Sequence, residues 1–225
     1  VANSVGMGAI QHGQASSIIG STCFNGVVTD KLILDPIGIG VTLLHALPGK
    51  FIRSMPAMAG TPNLDWFIRE FCGAEKAAKT NEKELYQLLE EKIKRIPPGS
   101  EGVLYHPYIS PGGERAPFVK PSAKAQFFGI SLRHSRWHLL RSIYEGVALS
   151  MLDCFNHIPV QISEIRASGG GVRSHVWCQI FADAIGRTIR VPQESELGAL
   201  GAAIAAGVGV GVYEKMVDVV DEMVR

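Results

Sequence analysis

The chain has 225 residues, and its 22 lysines and arginines nearly balance its 21 aspartates and glutamates, for a formal net charge of +1. At roughly 100–200 residues per domain, that length allows one large domain or two small ones. A near-neutral chain without a basic run argues against electrostatic binding to nucleic acid or to an anionic membrane. We therefore expect neither as a partner.

Four cysteines, Cys23, Cys72, Cys154 and Cys178, lie far apart and form no C-x-x-C pair. Their spacing argues against a zinc site and against a dense disulfide framework. Isolated thiols of this kind are typical of proteins in a reducing compartment. They predict a cytoplasmic location.

The first third of the chain is predicted to form strands and turns. Short β-branched or apolar segments cover residues 15–20, 26–29, 31–34 and 51–55, and glycine, asparagine and aspartate interrupt them. No helical pattern separates these segments. We therefore expect an antiparallel meander.

Helices and strands alternate in the rest of the chain. Thr61 before Pro62 predicts one helix start, and Asn81 with Glu84 predicts a capping box for a second helix. Between these helices, residues 73–83 are predicted to be a solvated connection. Further helices are predicted at 135–157, 174–185 and 197–206, the last ended by Gly207, with strands at 103–105, 162–167 and 188–191. The alternation indicates an α/β layered domain.

The uncharged stretch 197–213 is the one segment that resembles a membrane span. A spanning helix needs about 20 apolar residues, preferably bulky ones. This stretch is rich in glycine and alanine, which allow close packing instead. We predict a packed core helix.

A glycine followed by two hydroxyl residues, Gly20, Ser21 and Thr22, lies between two predicted strands. Backbone N–H groups and hydroxyls that converge in a tight turn suit phosphate oxygens. An ordinary hairpin turn has the same composition. The residues alone leave both interpretations open.

Three consecutive glycines, residues 169–171, lie between a predicted strand and a predicted helix. They would let the backbone approach a ligand closely, and Ser174 would cap the helix, whose N-terminus carries partial positive charge. This arrangement favours nucleotide binding. It has neither the G-x-G-x-x-G spacing of dinucleotide folds nor the P-loop Lys-Ser/Thr ending.

Two other patterns carry less weight. His134 and His138 have the i, i+4 spacing of helical metal ligands, but Ser135 is predicted to cap the helix between them, and no acidic third ligand follows closely. No G-x-S-x-G elbow supports a serine hydrolase. We predict no metal held by the chain's own side chains.

Five motifs in chain order resemble one family, the FGGY carbohydrate kinases. Gly20-Ser21-Thr22 is similar to its Gly-Thr-Ser phosphate turn with the two hydroxyl residues exchanged. Residues 113–117 are similar to a Gly-Glu-Arg-x-Pro loop common in pentulose kinases, and residues 125–145 to the family's C-terminal signature. Residues 168–183 resemble its adenosine motif, and residues 192–203 resemble its helix of small residues. The resemblance covers nearly the whole chain.

The resemblance implies an α/β fold, namely an actin-like ATPase (ribonuclease H-like) lobe with a mixed sheet flanked by helices. It implies that residues 1–225 are the C-terminal nucleotide-binding lobe and that the N-terminal lobe is absent from the chain. The opening on Val1 rather than methionine fits a fragment. The family's catalytic aspartate is then expected just upstream of Val1, so we expect no catalytic residue here and an inactive isolated fragment.

The resemblance further implies ATP and Mg²⁺ as cofactors and a sugar or polyol as substrate. A ketopentose such as xylulose or ribulose is the favoured acceptor, and a homodimer stays open. Eight residues are implied to bind ATP through backbone N–H groups, hydroxyls or close backbone approach: Gly20, Ser21, Thr22, Thr61, Gly170, Gly171, Ser174 and His175.

Each implied contact has a physical basis. The turn at residues 20–22 would donate hydrogen bonds to the terminal phosphates, and Thr61 would meet the α- or β-phosphate. The adenosine would lie against residues 170–171, with Ser174 and His175 near the base or ribose.

Two other classes of protein stay open. An actin-like module kept for regulation or assembly would bind nucleotide without phosphorylating an acceptor. A dinucleotide-dependent oxidoreductase would need an acidic residue ~20 residues after the glycines. Glu194 and Glu196 come near that spacing but lie beyond Pro192. An aspartate just before Val1 would favour the kinase over the module.

Overall fold

The computed structural model describes residues 1–224, and Arg225 lies outside that part. The strands are β1 (Gln14–Ile19), β2 (Cys23–Thr29), β3 (Val41–Leu44), β4 (Phe51–Ser54), β5 (Leu104–His106), β6 (Gln126–Phe128), β7 (Glu164–Ser168) and β8 (Ile189–Arg190). The helices are α1 (Ala2–Gly6), α2 (Pro62–Phe71), α3 (Gly73–Ala77), α4 (Glu82–Lys94), α5 (Arg136–Asn156), α6 (His175–Ile185), α7 (Leu197–Gly209) and α8 (Met216–Met223).

A six-stranded mixed sheet forms the centre of the molecule, in the order β3-β4-β2-β1-β7-β8. The first four strands of that order pair antiparallel. On its other side, β1 pairs in parallel with β7, with Ile18 opposite Ser168, and β7 pairs in parallel with β8. β5 and β6 form a separate two-stranded sheet. The predicted α/β class with a mixed sheet flanked by helices is confirmed.

Helices cover both faces of this sheet because successive residues of a strand point to opposite faces. Ile19 of β1 and Ile165 of β7 enter the main core, which α2, α4, α5 and α6 complete. Ser16 of β1 lies on the opposite face, where its Oγ is 2.9 Å from Oγ of Ser4 in α1. There α1 packs on α7 and α8 in a second, smaller core.

Several predicted helix starts are confirmed by their caps. The Asn81 side chain accepts a hydrogen bond from the Glu84 N–H at 3.0 Å, and Ser174 Oγ accepts one from the Trp177 N–H at 3.0 Å. Ser135 begins α5 within a capping box. Each cap satisfies a backbone donor that has no partner inside its helix.

The strand predicted at residues 31–34 is wrong. Leu32 and Leu34 are exposed, and β3 takes the place beside β4 instead. The buried Arg53 side chain donates three hydrogen bonds to carbonyl oxygens within residues 35–39, which holds the neighbouring segment as a loop. The meander is also wrong in its order, because β4 rather than β3 pairs with β2.

Two further predictions need correction. Residues 73–77 form the short helix α3 within the predicted connection, although none of its residues is buried. α7 continues past Gly207 to Gly209. Gly207 therefore lies inside the helix, where a Cβ atom on it would lie 2.5 Å from the Tyr213 ring.

α7 is buried on one face and exposed on the other, although all its residues are glycine or apolar. It buries Leu197, Gly201 and Ile204, whereas Ala202 and Ala203 are exposed. The predicted packing of this stretch is therefore confirmed on one face only. In the part of the chain that the structure describes, no helix combines the length and the apolar character needed to cross a membrane.

Candidate functional site

Parallel pairing brings the two glycine turns together. Residues 20–22, the first turn, follow β1, and residues 169–171, the second turn, follow its parallel neighbour β7. A Cβ atom on Gly171 would lie 2.3 Å from Cγ2 of Ile19, and one on Gly169 would lie 2.6 Å from the Ile19 carbonyl oxygen. Glycine alone permits this approach. Both turns therefore lie at one edge of the sheet.

The start of α2 joins the same edge. The Thr61 N–H donates to the Gly20 carbonyl oxygen at 2.8 Å, and the Gly60 N–H donates to the Ser21 carbonyl oxygen at 3.3 Å. A Cβ on Gly60 would lie 2.5 Å from that Gly20 oxygen, so the two backbones are in direct contact. The sequence analysis missed Gly60. Its only signal was a glycine directly before a helix start.

The side chains of the first turn are accessible to a ligand. Ser21 and Thr22 are exposed, and the Gly20 N–H donates to the Thr22 carbonyl oxygen at 3.2 Å. Thr61 makes no capping hydrogen bond with its side chain. Three hydroxyls and the surrounding N–H groups therefore stand at one edge of the sheet.

Gly170 and Gly171 differ in what surrounds them. Gly171 is buried against β1, whereas a Cβ on Gly170 would meet nothing within 4 Å. Gly170 and His175 are both exposed. The second turn thus presents an open backbone surface beside the start of α6. Ser174 links the two, since its N–H donates to the Gly171 carbonyl oxygen at 3.2 Å while its Oγ caps α6.

Two helix starts contribute partial positive charge at this end of the sheet. α2 and α6 both begin here, and helix N-termini carry partial positive charge. None of the eight sequence-predicted residues has a carboxylate. The structure places the eight residues at the two turns and at the starts of α2 and α6, with Gly171 buried against β1.

The thiol nearest the first turn is chemically inert. Cys23 is fully buried, and burial raises the pKa of its thiol to about 12. It stays neutral at physiological pH and cannot act as a thiolate nucleophile. Cys23 instead contributes packing at the end of the turn, with its Sγ 2.6 Å from where a Gly60 side chain would begin.

The residues described do not form a metal centre of their own. Across residues 1–224, no group of three His, Cys, Asp or Glu could hold a metal ion. The His138 Nδ1 accepts the Ser135 N–H at 3.0 Å, and the His134 Nδ1 accepts the Ser131 N–H at 2.9 Å. Both histidines thus use a ring nitrogen to order the start of α5.

A cavity of about 510 Å³ lies elsewhere, between α5, α6 and the segment around β5. None of the eight predicted residues lines it. The predicted residues therefore lie outside this cavity.

The chain was compared with known proteins. A family model described as the C-terminal domain of the FGGY family of carbohydrate kinases matches residues 15–210. An erythritol kinase of Brucella abortus (strain 2308) is 34% identical over 95% of this chain and 41% of its own length. A gluconokinase of Bacillus subtilis (strain 168) is 30% identical over 100% of this chain and 44% of its own length.

Solved structures agree on the fold. A ligand-bound xylulose kinase from Lactobacillus acidophilus superposes with a TM-score of 0.86 at 21% identity, over 100% of this chain and 44% of that one. The chain spans less than half the length of these relatives. Its mixed sheet flanked by helices is the actin-like ATPase fold of sugar kinases. The chain therefore belongs to the FGGY family of carbohydrate kinases and matches its C-terminal domain.

Proposed function

We propose that this chain is the nucleotide-binding lobe of a kinase that transfers the γ-phosphoryl group of ATP to a hydroxyl of a sugar or polyol. The observation that carries the proposal is the meeting of the two glycine turns and the start of α2 at one sheet edge. Membership of a carbohydrate kinase family supports it.

Two features of the candidate site support ATP as the ligand. The open face at Gly170 has room for a flat adenosine against the backbone, with His175 at its border. The hydroxyls of Ser21 and Thr22 and the N–H groups of these two residues suit phosphate oxygens, whereas the Gly20 N–H already donates to the Thr22 carbonyl oxygen. Thr61 at the start of α2 would serve the inner phosphates, where the helix dipole adds to the attraction.

Phosphoryl transfer needs positioning and charge stabilisation more than covalent chemistry. The first turn would hold the terminal phosphate and strengthen its hydrogen bonds as charge shifts in the transition state. Mg²⁺ would bind together with the ATP phosphates, as it usually does in sites that transfer a phosphoryl group. In kinases the ion neutralises the phosphate charge that develops during transfer.

We further propose that the general base lies just upstream of Val1 in a longer protein. Ser4 of α1 lies beside Ser16 of β1, and Ala9 packs with Val28, next to the start of β1. The chain thus runs from the middle of β1 toward its beginning, opposite to the strand. We therefore propose that the residue before Val1 lies toward the end of β1 that leads into the first turn. A carboxylate there would be well placed to take the acceptor's proton.

The acceptor that we propose is a ketopentose of the xylulose or ribulose type. The Gly-Glu-Arg-x-Pro loop at residues 113–117 supports this choice. The relatives named as erythritol kinase and gluconokinase define the rival acceptors, a short polyol and a sugar acid. We also propose a cytoplasmic location, because all four cysteines are free thiols.

The test compares the full-length protein, meaning this chain with its natural N-terminal part, with the 225-residue chain alone. Each is given ATP, Mg²⁺ and a panel of xylulose, ribulose, erythritol and gluconate, and ADP release is measured. We expect the full-length protein to turn over a pentulose and the isolated chain to bind ATP weakly without turnover. Robust turnover by the isolated chain would contradict the assignment of the base to an upstream segment.

The second candidate is a nucleotide-binding module with a regulatory or assembly role. The open sheet edge would serve such a module equally well, because binding requires only the groups described here. A full-length protein that binds ATP but phosphorylates none of the panel would favour the module and overturn the kinase.

A further inference from the structure

The loop at residues 113–117 buries a carboxylate against residues 56–61, the linking segment. Glu114 is 3% exposed, and its Oε1 accepts a hydrogen bond from the Met58 N–H at 2.9 Å. The same oxygen accepts N–H groups of its own loop at 2.8 and 3.5 Å. Burial raises the pKa of this carboxyl above its ordinary value. Glu114 therefore fastens the loop to the middle of the linking segment.

Arg115 adds a second attachment. Its Nε donates to the Pro56 carbonyl oxygen at 2.9 Å, at the beginning of the linking segment. The Arg115 side chain is otherwise exposed. Two successive side chains of one loop thus hold two positions of the linking segment, two residues apart.

The linking segment in turn holds both ends of the first turn. Ala57 and Cys23 exchange two backbone hydrogen bonds, at 2.8 and 3.3 Å. At the other end, the Thr61 N–H donates to the Gly20 carbonyl oxygen at 2.8 Å. Hydrogen bonds and the backbone of the linking segment together therefore connect the buried carboxylate to the first turn.

We propose that Glu114 and Arg115 are positioning residues that hold the first turn in place for the terminal phosphates of ATP. The inference rests on the proposed function, because it assigns a task to the first turn. Neither side chain is expected to touch ATP, since each contacts the linking segment instead.

A carboxylate suits this position because it only accepts hydrogen bonds and three N–H groups converge on it. Charge-assisted bonds of this kind are stronger than neutral ones. All three reach the same oxygen, Oε1, which a glutamine side chain also has. Glutamine should therefore keep the geometry while it removes the charge, whereas alanine removes both.

Displacement of the first turn should affect the chemical step more than acceptor binding. The turn would contact the transferring phosphate, whose misplacement by about 1 Å lowers rates strongly. We expect kcat to fall while the KM for the sugar stays unchanged. A change that only loosens the fold would lower the amount of active protein without this split.

The experiment uses four variants of the full-length protein: Glu114→Ala, Glu114→Gln, Arg115→Met and Glu145→Ala. The last is the matched control. Glu145 is also a largely buried glutamate that accepts a loop N–H, from Gly99 at 3.0 Å, but it lies on α5. For each variant, kcat, both KM values, ATP affinity by titration with a fluorescent ATP analogue, and the melting temperature are measured.

We expect Glu114→Ala to lower kcat about tenfold and Arg115→Met about threefold, with Glu114→Gln within about threefold of wild type. Glu145→Ala should lose thermal stability but keep kcat per folded molecule. Wild-type kcat in folded Glu114→Ala, or an equal loss in Glu145→Ala, would overturn the proposal. If Glu114→Ala does not fold, the kcat of Arg115→Met tests the proposal, because this variant removes one hydrogen bond of an exposed side chain and should fold. Wild-type kcat in Arg115→Met would then overturn the proposal.

Failure of the proposed function is distinguishable from failure of this inference. If the wild-type protein phosphorylates no acceptor, the kinase assignment fails, and the ATP affinities still test the positioning. Weaker ATP binding in Glu114→Ala and Arg115→Met than in Glu145→Ala would then support it. Equal affinity in all the variants would overturn it.

Discussion

Adjacent glycines in the second turn have different physical roles. Gly171 has no side chain because Ile19 occupies the space, whereas Gly170 faces open solvent. A side chain introduced at Gly171 would disturb the packing, whereas one introduced at Gly170 would occupy the space that we propose for the ligand. The distinction comes from the surroundings of each Cβ position, since the residue type is the same.

This contrast gives a prediction for a pair of variants. Gly170→Val should leave the melting temperature near that of wild type and weaken ATP binding at least tenfold, because the new side chain fills the space proposed for adenosine. Gly171→Val should lower stability by ~1–3 kcal/mol through overpacking against β1. Calorimetric titration with ATP and thermal unfolding measure the two effects. Unchanged ATP affinity in a folded Gly170→Val protein would show that adenosine binds elsewhere.

Contact between helices is equally dependent on small residues. A Cβ on Gly201 of α7 would lie 1.9 Å from the Ala2 carbonyl oxygen of α1, and a Cβ on Gly6 of α1 would lie 1.9 Å from the Leu197 carbonyl oxygen. The two helix backbones therefore touch directly. This contact also fixes the position of α1 on α7.

We predict that Gly201→Ala lowers the free energy of unfolding by ~1–3 kcal/mol, because the helices must separate to admit one methyl group. Gly209, at the end of the same helix, has open space around its Cβ position and is the control. Gly209→Ala should be neutral or stabilise by ~0.4–1 kcal/mol through the unfolded chain. Urea unfolding compares the two, and equal stabilities would show that α1 and α7 are not in contact.

At the scale of the whole molecule, one imidazole connects the segment before β1 with the turn that follows β3. The His45 Nε2 is 3.1 Å from the Ala9 carbonyl oxygen, and its Nδ1 accepts the Leu47 N–H at 3.0 Å. This pattern requires the neutral tautomer with its proton on Nε2. Burial lowers the pKa of His45 below its ordinary value of 6.5.

Stability should therefore decrease as the pH falls below 6.5. The unfolded chain takes up a proton on His45 there, while the folded chain resists it, so protonation favours unfolding. We predict that His45→Gln is less stable than wild type at pH 7.5 but loses less stability between pH 7.5 and 5.5. Urea unfolding at both pH values measures this difference. Parallel losses in the two proteins would assign the pH dependence to other groups.

Local signals explain which parts of the fold were predictable. Caps at Asn81, Ser135 and Ser174 and the glycine turns depend on a few neighbouring residues, and the structure confirms the elements beside them. The choice between residues 31–34 and β3 as a strand depends on distant contacts. Both are short and apolar, and the buried Arg53 side chain decides between them.

Prediction of the candidate site from the sequence was limited in the same way, by contacts between distant residues. Its two turns were visible as glycine patterns, but their proximity depends on β1 pairing with β7, far along the chain. Gly60 and Glu114 were not predicted as parts of the site because their importance lies entirely in contacts with distant backbone. The prediction that the eight residues bind ATP stays a prediction.

The parallel pairing of β1 with β7 has a consequence for synthesis of the protein. The Gln14 and Glu164 side chains that meet across it are 150 residues apart in sequence. While the ribosome has released only β1, the first turn has no second turn beside it. The nucleotide site that we propose needs both turns, so ATP would stabilise the chain only after α6 has emerged, since binding protects only the assembled form. A prematurely terminated chain would gain no such protection and would remain open to proteases, whatever the ATP concentration in the cell.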